Sequence, residues 1–173
     1  MTRNVPKQSK VNLKFEMVLI DKSYFEKYNN QYVELLDQNN NIDKQVNRLY
    51  LYIHIKYKDN DVYVPLRTAL PKNCGKIGFS VPSKDKPDAG LDYRKLLIIN
   101  DSSYIIPQTE LQIPYKQKIR INTKYPVICK EVIKYIDGYI KKFEKNQHNK
   151  DRRYKFSTLK NFHEELNLVL VEA

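Results

Sequence analysis

Tryptophan is absent from this chain, and cysteine and glycine are scarce: two and four residues respectively among 173. Cys74 and Cys129 stand far apart with no paired spacing, which excludes a disulfide framework and a Cys-based metal site. Cys129 reads as a core residue on a helix face and Cys74 as a loop thiol. Long apolar runs are missing too. Nothing approaches the roughly 18 residues needed to cross a bilayer, and residues 1–10 lack the apolar segment of a signal peptide. A cytoplasmic protein with no membrane partner is the expectation. Acids are outnumbered, 20 against 31 Lys plus Arg, a net charge of +11 that calls for a polyanionic partner.

What the chain does contain is tyrosine, 14 residues of it, with six phenylalanines. A tyrosine has a face on which a base stacks and a hydroxyl that reaches a phosphate, so tyrosines interleaved with lysine and arginine favour RNA over membrane. An AT-rich genome enriches Tyr, Lys, Asn and Ile together and gives the same composition.

Size points to one domain over 1–173, with 1–10 as a flexible arm and 147–156 as a basic connector to a C-terminal helix. Weak alternation over 11–20 predicts a first strand. Asp21 or Ser23 can cap a short helix through Tyr24 and Tyr28, and Asn-rich 38–41 is a loop. Residues 49–57 alternate most clearly: Leu49, Leu51, Ile53 and Ile55 face the core, and Tyr50, Tyr52, His54 and Lys56 face away. That second set is either an RNA-facing wall or a partly covered sheet surface. A turn at 58–61 makes an antiparallel hairpin with the next strand, which brings Arg48 near Arg67 and Thr68.

In D-V-Y-V-P-L-R-T-A-L-P-K, residues 61–72, Val62, Val64 and Leu66 line one face. Pro65 cannot donate to a ladder, so it places the strand at an edge or marks its departure from the sheet. Arg67, Thr68 and Lys72 then offer two cations and a hydroxyl, groups suited to a phosphodiester. A charged surface loop presents the same residues. Three of the four glycines and Pro71, Pro82 and Pro87 make 72–92 a long irregular loop, basic through Lys72, Lys76, Lys84 and Lys86. Residues 93–99 predict a buried strand, 104–106 a continuation, and 111–121 one or two short strands. The longest helix is expected over 123–146, with Thr123 as cap and Pro126 in its first turn. Its core stripe comprises Val127, Ile128, Val132, Ile133, Ile136, Tyr139, Ile140 and Phe143. Arg152 and Arg153 lie in the connector, read as an electrostatic footprint or a solvated linker. Ser157 or Thr158 caps a last helix to about residue 170, with Leu159, Phe162, Leu166 and Leu170 on one side.

Metal-dependent nuclease chemistry wants clustered ligands, and the three histidines are isolated. A phosphate-binding Gly-rich loop and a nucleophile elbow are also missing. Chemistry remains in which the substrate brings its own nucleophile. RNA does so, because its 2′-hydroxyl can attack the adjacent phosphate.

Y-V-P-L-R-T with Lys72, G-L-D-Y at 90–93, and the apolar run 96–99 closed by Asn100-Asp101 resemble the toxins of type III toxin-antitoxin systems, the ToxN, AbiQ, CptN and TenpN endoribonucleases. The likeness extends over about 15–145. It implies an α+β domain, a twisted antiparallel sheet flanked by helices akin to the MazF and Kid toxins. It implies metal-independent cleavage to a 2′,3′-cyclic phosphate and a 5′-hydroxyl, with no cofactor. It places the active site on Tyr24, Arg48, Arg67, Thr68 and Lys72, with Arg67 and Lys72 stabilising the phosphorane. Asp92 is chiefly structural and can orient a catalytic cation. Lys44 stands where some members have tyrosine, and Arg67-Thr68 where some have two hydroxyls. Lys44, Tyr50, Tyr52, His54, Lys76, Lys84, Lys86, Tyr93, Arg152 and Arg153 are the expected RNA-binding residues. The implied partners are target mRNA and a repeated pseudoknot antitoxin RNA in a protein-RNA assembly. A non-catalytic basic RNA-binding module is the alternative, and a lipid-surface protein a more distant one.

Overall fold

The structure is a computed structural model that describes residues 13–28, 51–72, 76–108 and 113–169. Its β2 (Tyr52–Tyr57) and β3 (Asn60–Arg67) form the hairpin expected from the alternation, paired from Tyr57↔Asn60 to Tyr52↔Pro65. Lys58, at φ 52°, takes the left-handed conformation that tightens the turn. The other strands are β1 (Met17–Ile20), β4 (Gly78–Ser80), β5 (Gly90–Asp92), β6 (Leu97–Ile98) and β7 (Ile105–Pro107). Around the hairpin the sheet has the order β4-β5-β3-β2-β1-β7, every pairing antiparallel, with β6 also on β3.

A short α1 (Lys22–Lys27) follows β1, and a 30-residue α2 (Tyr115–Glu144), about 45 Å long, crosses one face of the sheet. Ile53, Ile55, Val62 and Val64 are buried on that face, each worth about 1.5–3 kcal/mol against exposure. Tyrosine hydroxyls tie the layers together: Tyr57 donates to Asp137 of α2 at 2.7 Å, and Tyr125 of α2 to the His54 carbonyl at 2.9 Å. None of the described helices is long and apolar enough to cross a membrane.

Several expectations are corrected. Pro65 is buried within a central strand, not an edge one. Leu66 donates to Leu51 across the β2 ladder, so the Pro65 nitrogen faces the other side, where the partner changes from β6 at Tyr63 to β5 at Leu66. The missing donor falls in that gap. The loop 72–92 contains β4 and β5, made possible by glycine: a Cβ on Gly90 would stand 2.3 Å from the Leu70 side chain and 2.4 Å from the Phe79 carbonyl. Residues 93–99 are a 3-10 turn, Tyr93–Lys95, followed by the two-residue β6.

Of the strands expected over 111–121, residues 115–121 are instead the start of α2, where Gln117 and Ile121 lie one turn apart on the buried face, and 111–112 lie outside the described residues. Pro126 is therefore inside the helix, not in its first turn. Val127 and Ile133 are exposed, because the buried line passes through Ile128, Val132, Tyr135, Ile136, Tyr139 and Phe143. Cys129 is partly buried. The connector 147–156 is not simply solvated: His148 and Tyr154 are buried against α2, where Gly138 leaves room for the Tyr154 hydroxyl. Ser157 does cap the next element, but that element is a 3-10 turn, Thr158–Asn161, and not a helix to residue 170. Leu159, Phe162 and Leu166 are buried as expected.

Candidate nucleic-acid site

Register gathers distant segments at one end of the sheet. Val18 pairs with Tyr52, Tyr52 with Pro65, and Arg67 with Gly90, so the end of β1, the start of β2, the end of β3 and the start of β5 lie together. At about 4.8 Å per strand, β1 and β3 are about 10 Å apart there. Asp21 accepts from the Ser23 amide at 2.8 Å and starts α1 at this same end. Tyr24 thus comes to the Arg67-Thr68 end by topology.

The most organised group there is centred on Asp92. Its carboxylate is fully buried and receives the Arg94 guanidinium in a two-pronged contact, Nε to Oδ1 at 3.0 Å and NH2 to Oδ2 at 2.9 Å. The Arg94 amide adds a third bond at 3.1 Å, and Arg67 a fourth through NH1 to Oδ2 at 3.3 Å. Two guanidiniums on one carboxylate leave a net positive charge. Arg67 retains 29% side-chain exposure and so carries that charge to the surface. Thr68 follows it, exposed, and the chain is then pinned by the Leu70 amide on the Asp88 carbonyl at 2.7 Å. Lys72 is exposed beyond that anchor. Lys84 and Lys86 lie in the β4–β5 connection, also exposed at this end, where the Ser83 and Lys86 backbones bond to each other.

Other expected residues are placed differently. Arg48, Lys44 and Tyr50 lie outside the described residues. Tyr24, expected in the active site, and Tyr52 and Tyr93, expected to bind RNA, are 3%, 3% and 1% exposed, so none offers a ring face to a base. Tyr24 packs among Phe25, Tyr28 and Tyr104, and the Tyr93 hydroxyl donates to Glu131 at 2.7 Å. The stripe of Tyr52, His54 and Lys56 is a partly covered sheet surface. His54 stacks on Tyr63 and meets Asp61 at 2.5 Å, while Lys56 reaches the same carboxylate at 2.7 Å. Burial alone would push the Asp61 carboxyl up, but Lys56 and His54 outweigh it and hold it below its usual range. The Tyr63 phenol is pushed up to about 12, chiefly by burial and then by Asp61 and Glu16. Lys76 precedes β4; Arg152 is exposed, and Arg153 is bound to Asp151 through Nε at 3.1 Å and NH2 at 2.8 Å.

Two features escaped the sequence. Arg94 directly follows G-L-D-Y, and its charge on Asp92 could have been suspected from that adjacency. Lys27 donates to the Tyr104 hydroxyl at 3.0 Å and lies 5.2 Å from the Tyr28 ring centre, a cation among aromatics at the α1 end of the sheet. The Tyr104 hydroxyl raises the Lys27 pKa. No sequence signal joins residues 77 positions apart. Among the described residues, no three His, Cys, Asp or Glu side chains converge as metal ligands.

An α+β fold with this open antiparallel sheet is shared with proteins of bacterial type III toxin-antitoxin systems. The chain is similar in structure to AbiQ, a lactococcal anti-phage endoribonuclease belonging to such a system. The TM-score is 0.56 at 18% identity, covering 83% of this chain and 89% of that one. It is also similar to a chain from a bacterial type III system studied for selective toxin inhibition by a non-coding RNA pseudoknot, with TM-score 0.53 at 13% identity, over 70% of this chain and 77% of that one. No family model matches the sequence, and no curated protein does.

Proposed function

We propose that this chain is an endoribonuclease toxin of a type III toxin-antitoxin system, held inactive by a repeated pseudoknot antitoxin RNA. The observation that carries this reading is a guanidinium, Arg67, fixed on the buried Asp92 and followed at once by the exposed Thr68, in a fold shared with AbiQ. A phosphodiester laid across the end of β3 meets Arg67 through its non-bridging oxygens and Thr68 through its hydroxyl. Lys72 adds a mobile ammonium to the charge that builds up on phosphorus. The 2′-oxygen gives up its proton and bonds to phosphorus, the bond to the 5′-oxygen breaks, and that oxygen takes a proton. The ends are a 2′,3′-cyclic phosphate and a 5′-hydroxyl, formed with no metal. Tyr24 acts in this scheme by packing α1 against the sheet.

Thr68→Ala and Lys72→Ala should each lower cleavage of a labelled RNA by about a hundredfold or more while RNA affinity changes only a few-fold. Products should resist 3′-end ligation until the cyclic phosphate is opened and the resulting phosphate removed to leave a 3′-hydroxyl, and cleavage should persist in EDTA. If cleavage and affinity fall together in both variants, a non-catalytic RNA-binding module is the better reading.

A further inference from the structure

A groove of about 560 Å³ runs along one side of α2, and its lining includes Tyr93, the residue after Asp92. Five cations line it, Lys76, Lys130, Lys134, Lys141 and Arg153, against two carboxylates. Both carboxylates are already engaged by tyrosines: Glu131 accepts from Tyr93 and Asp137 from Tyr57, each at 2.7 Å. Arg153 is held by Asp151, whose carboxyl this contact draws down to about 2. The lysines are a different matter. Among the described residues, none of the four is drawn into an ion pair or a hydrogen bond. Lys130, Lys134 and Lys141 recur at four and seven residues along one helix face, a line of charge about 16 Å long. Tyr135 and Tyr154, packed with ring centres 5.1 Å apart, form part of the wall.

From this charge line we infer that the α2 groove is a further RNA-binding surface, one that holds the phosphate backbone of a single strand beyond the Asp92 group. A concave slot lined by spaced ammonium groups follows a flexible polyanion, whereas a flat bilayer surface cannot enter it. The inference rests on the proposed function in one respect, that RNA is what the protein meets. It does not depend on cleavage.

The test uses the full chain carrying Thr68→Ala, so that RNA survives the measurement. The probe is a fluorescent single-stranded RNA of about 20 nucleotides, longer than one groove. Its affinity is read by anisotropy across a salt series for Lys130→Glu/Lys134→Glu/Lys141→Glu and for a charge-matched control, Lys14→Glu/Lys22→Glu/Lys58→Glu. The groove variant should lose on the order of tenfold or more in affinity, and its salt slope should become shallower by about 2, the share of three phosphate contacts on a single strand. The control should change much less. Equal loss in both variants overturns the inference, since overall charge then accounts for binding. So does an unchanged slope, or a groove variant that loses binding to phosphatidylserine vesicles but not to RNA. Substituting the three lysines by glutamine guards against misfolding and should give an intermediate loss. If RNA binding depends on the groove but the unsubstituted chain never cleaves RNA, the groove stands and the endoribonuclease reading falls.

Discussion

Asp92 shows how one buried residue sets the chemistry of an exposed one. Its carboxylate is stable in the interior only because four donors surround it, and those donors fix Arg67 and Arg94 in turn. Asp92→Ala removes the shared anion and leaves two guanidiniums without it, which should destabilise the fold by about 3–5 kcal/mol in urea denaturation. Arg67→Ala keeps the stronger Arg94 contact and should cost less than Asp92→Ala, yet should reduce cleavage at least as much as Thr68→Ala does. A variant pair in which Arg67→Ala is the more destabilising would place the main support of Asp92 on the wrong arginine. The sequence shows Asp92 as an acid that can orient a cation, but the choice of Arg67 and Arg94 depends on β5 lying beside β3.

At the scale of elements, α2 is where local rules and the fold disagree most. A proline normally marks the start of a helix, which is why 115–121 reads as strand. In the structure Pro126 is exposed, eleven residues past the first residue of α2, and the carbonyl of Asn122 has no amide to receive there. Burial of Gln117 and Ile121 under the helix holds the first turns in place despite that loss. Pro126→Ala should then stabilise the protein by about 1–3 kcal/mol, seen as a higher denaturation midpoint. A lower midpoint would mean that a bend at Pro126 is needed for packing. The β2–β3 hairpin is the opposite case. Alternation, turn residues and core burial agree there, so its face and register were legible directly.

For the whole molecule, excess positive charge favours polyanion binding, while buried imidazoles couple stability to pH. His148 and His163 pack with Tyr139 and Phe143, and the Tyr139 hydroxyl lies 2.7 Å from His163 Nε2. Burial lowers both imidazoles below their ordinary 6.5, and His148 lowers His163 further. The folded state thus takes up fewer protons than the unfolded chain, and stability should fall as pH drops below about 6.5. Denaturation midpoints measured from neutral to mildly acidic pH should show that fall, and His148→Gln should flatten part of it; a level profile would contradict it. Asp151 acts lower, its contribution present above its ordinary 3.8 and lost as pH falls toward about 2. Glu165 opposes them, because burial raises its carboxyl and its contribution fades as pH rises above 4.5.

By itself the sequence determined the excess of positive charge, the central hairpin and the position of Arg67 and Thr68 at a strand end, because charge balance and two-residue alternation are local properties. Only the tertiary structure decided which tyrosines are reachable, which arginines share Asp92, and that Lys76 and Arg153 border a helix groove. Those outcomes depend on contacts between segments far apart in the chain. Burial is a property of what packs over a side chain, and no spacing rule within one segment contains it.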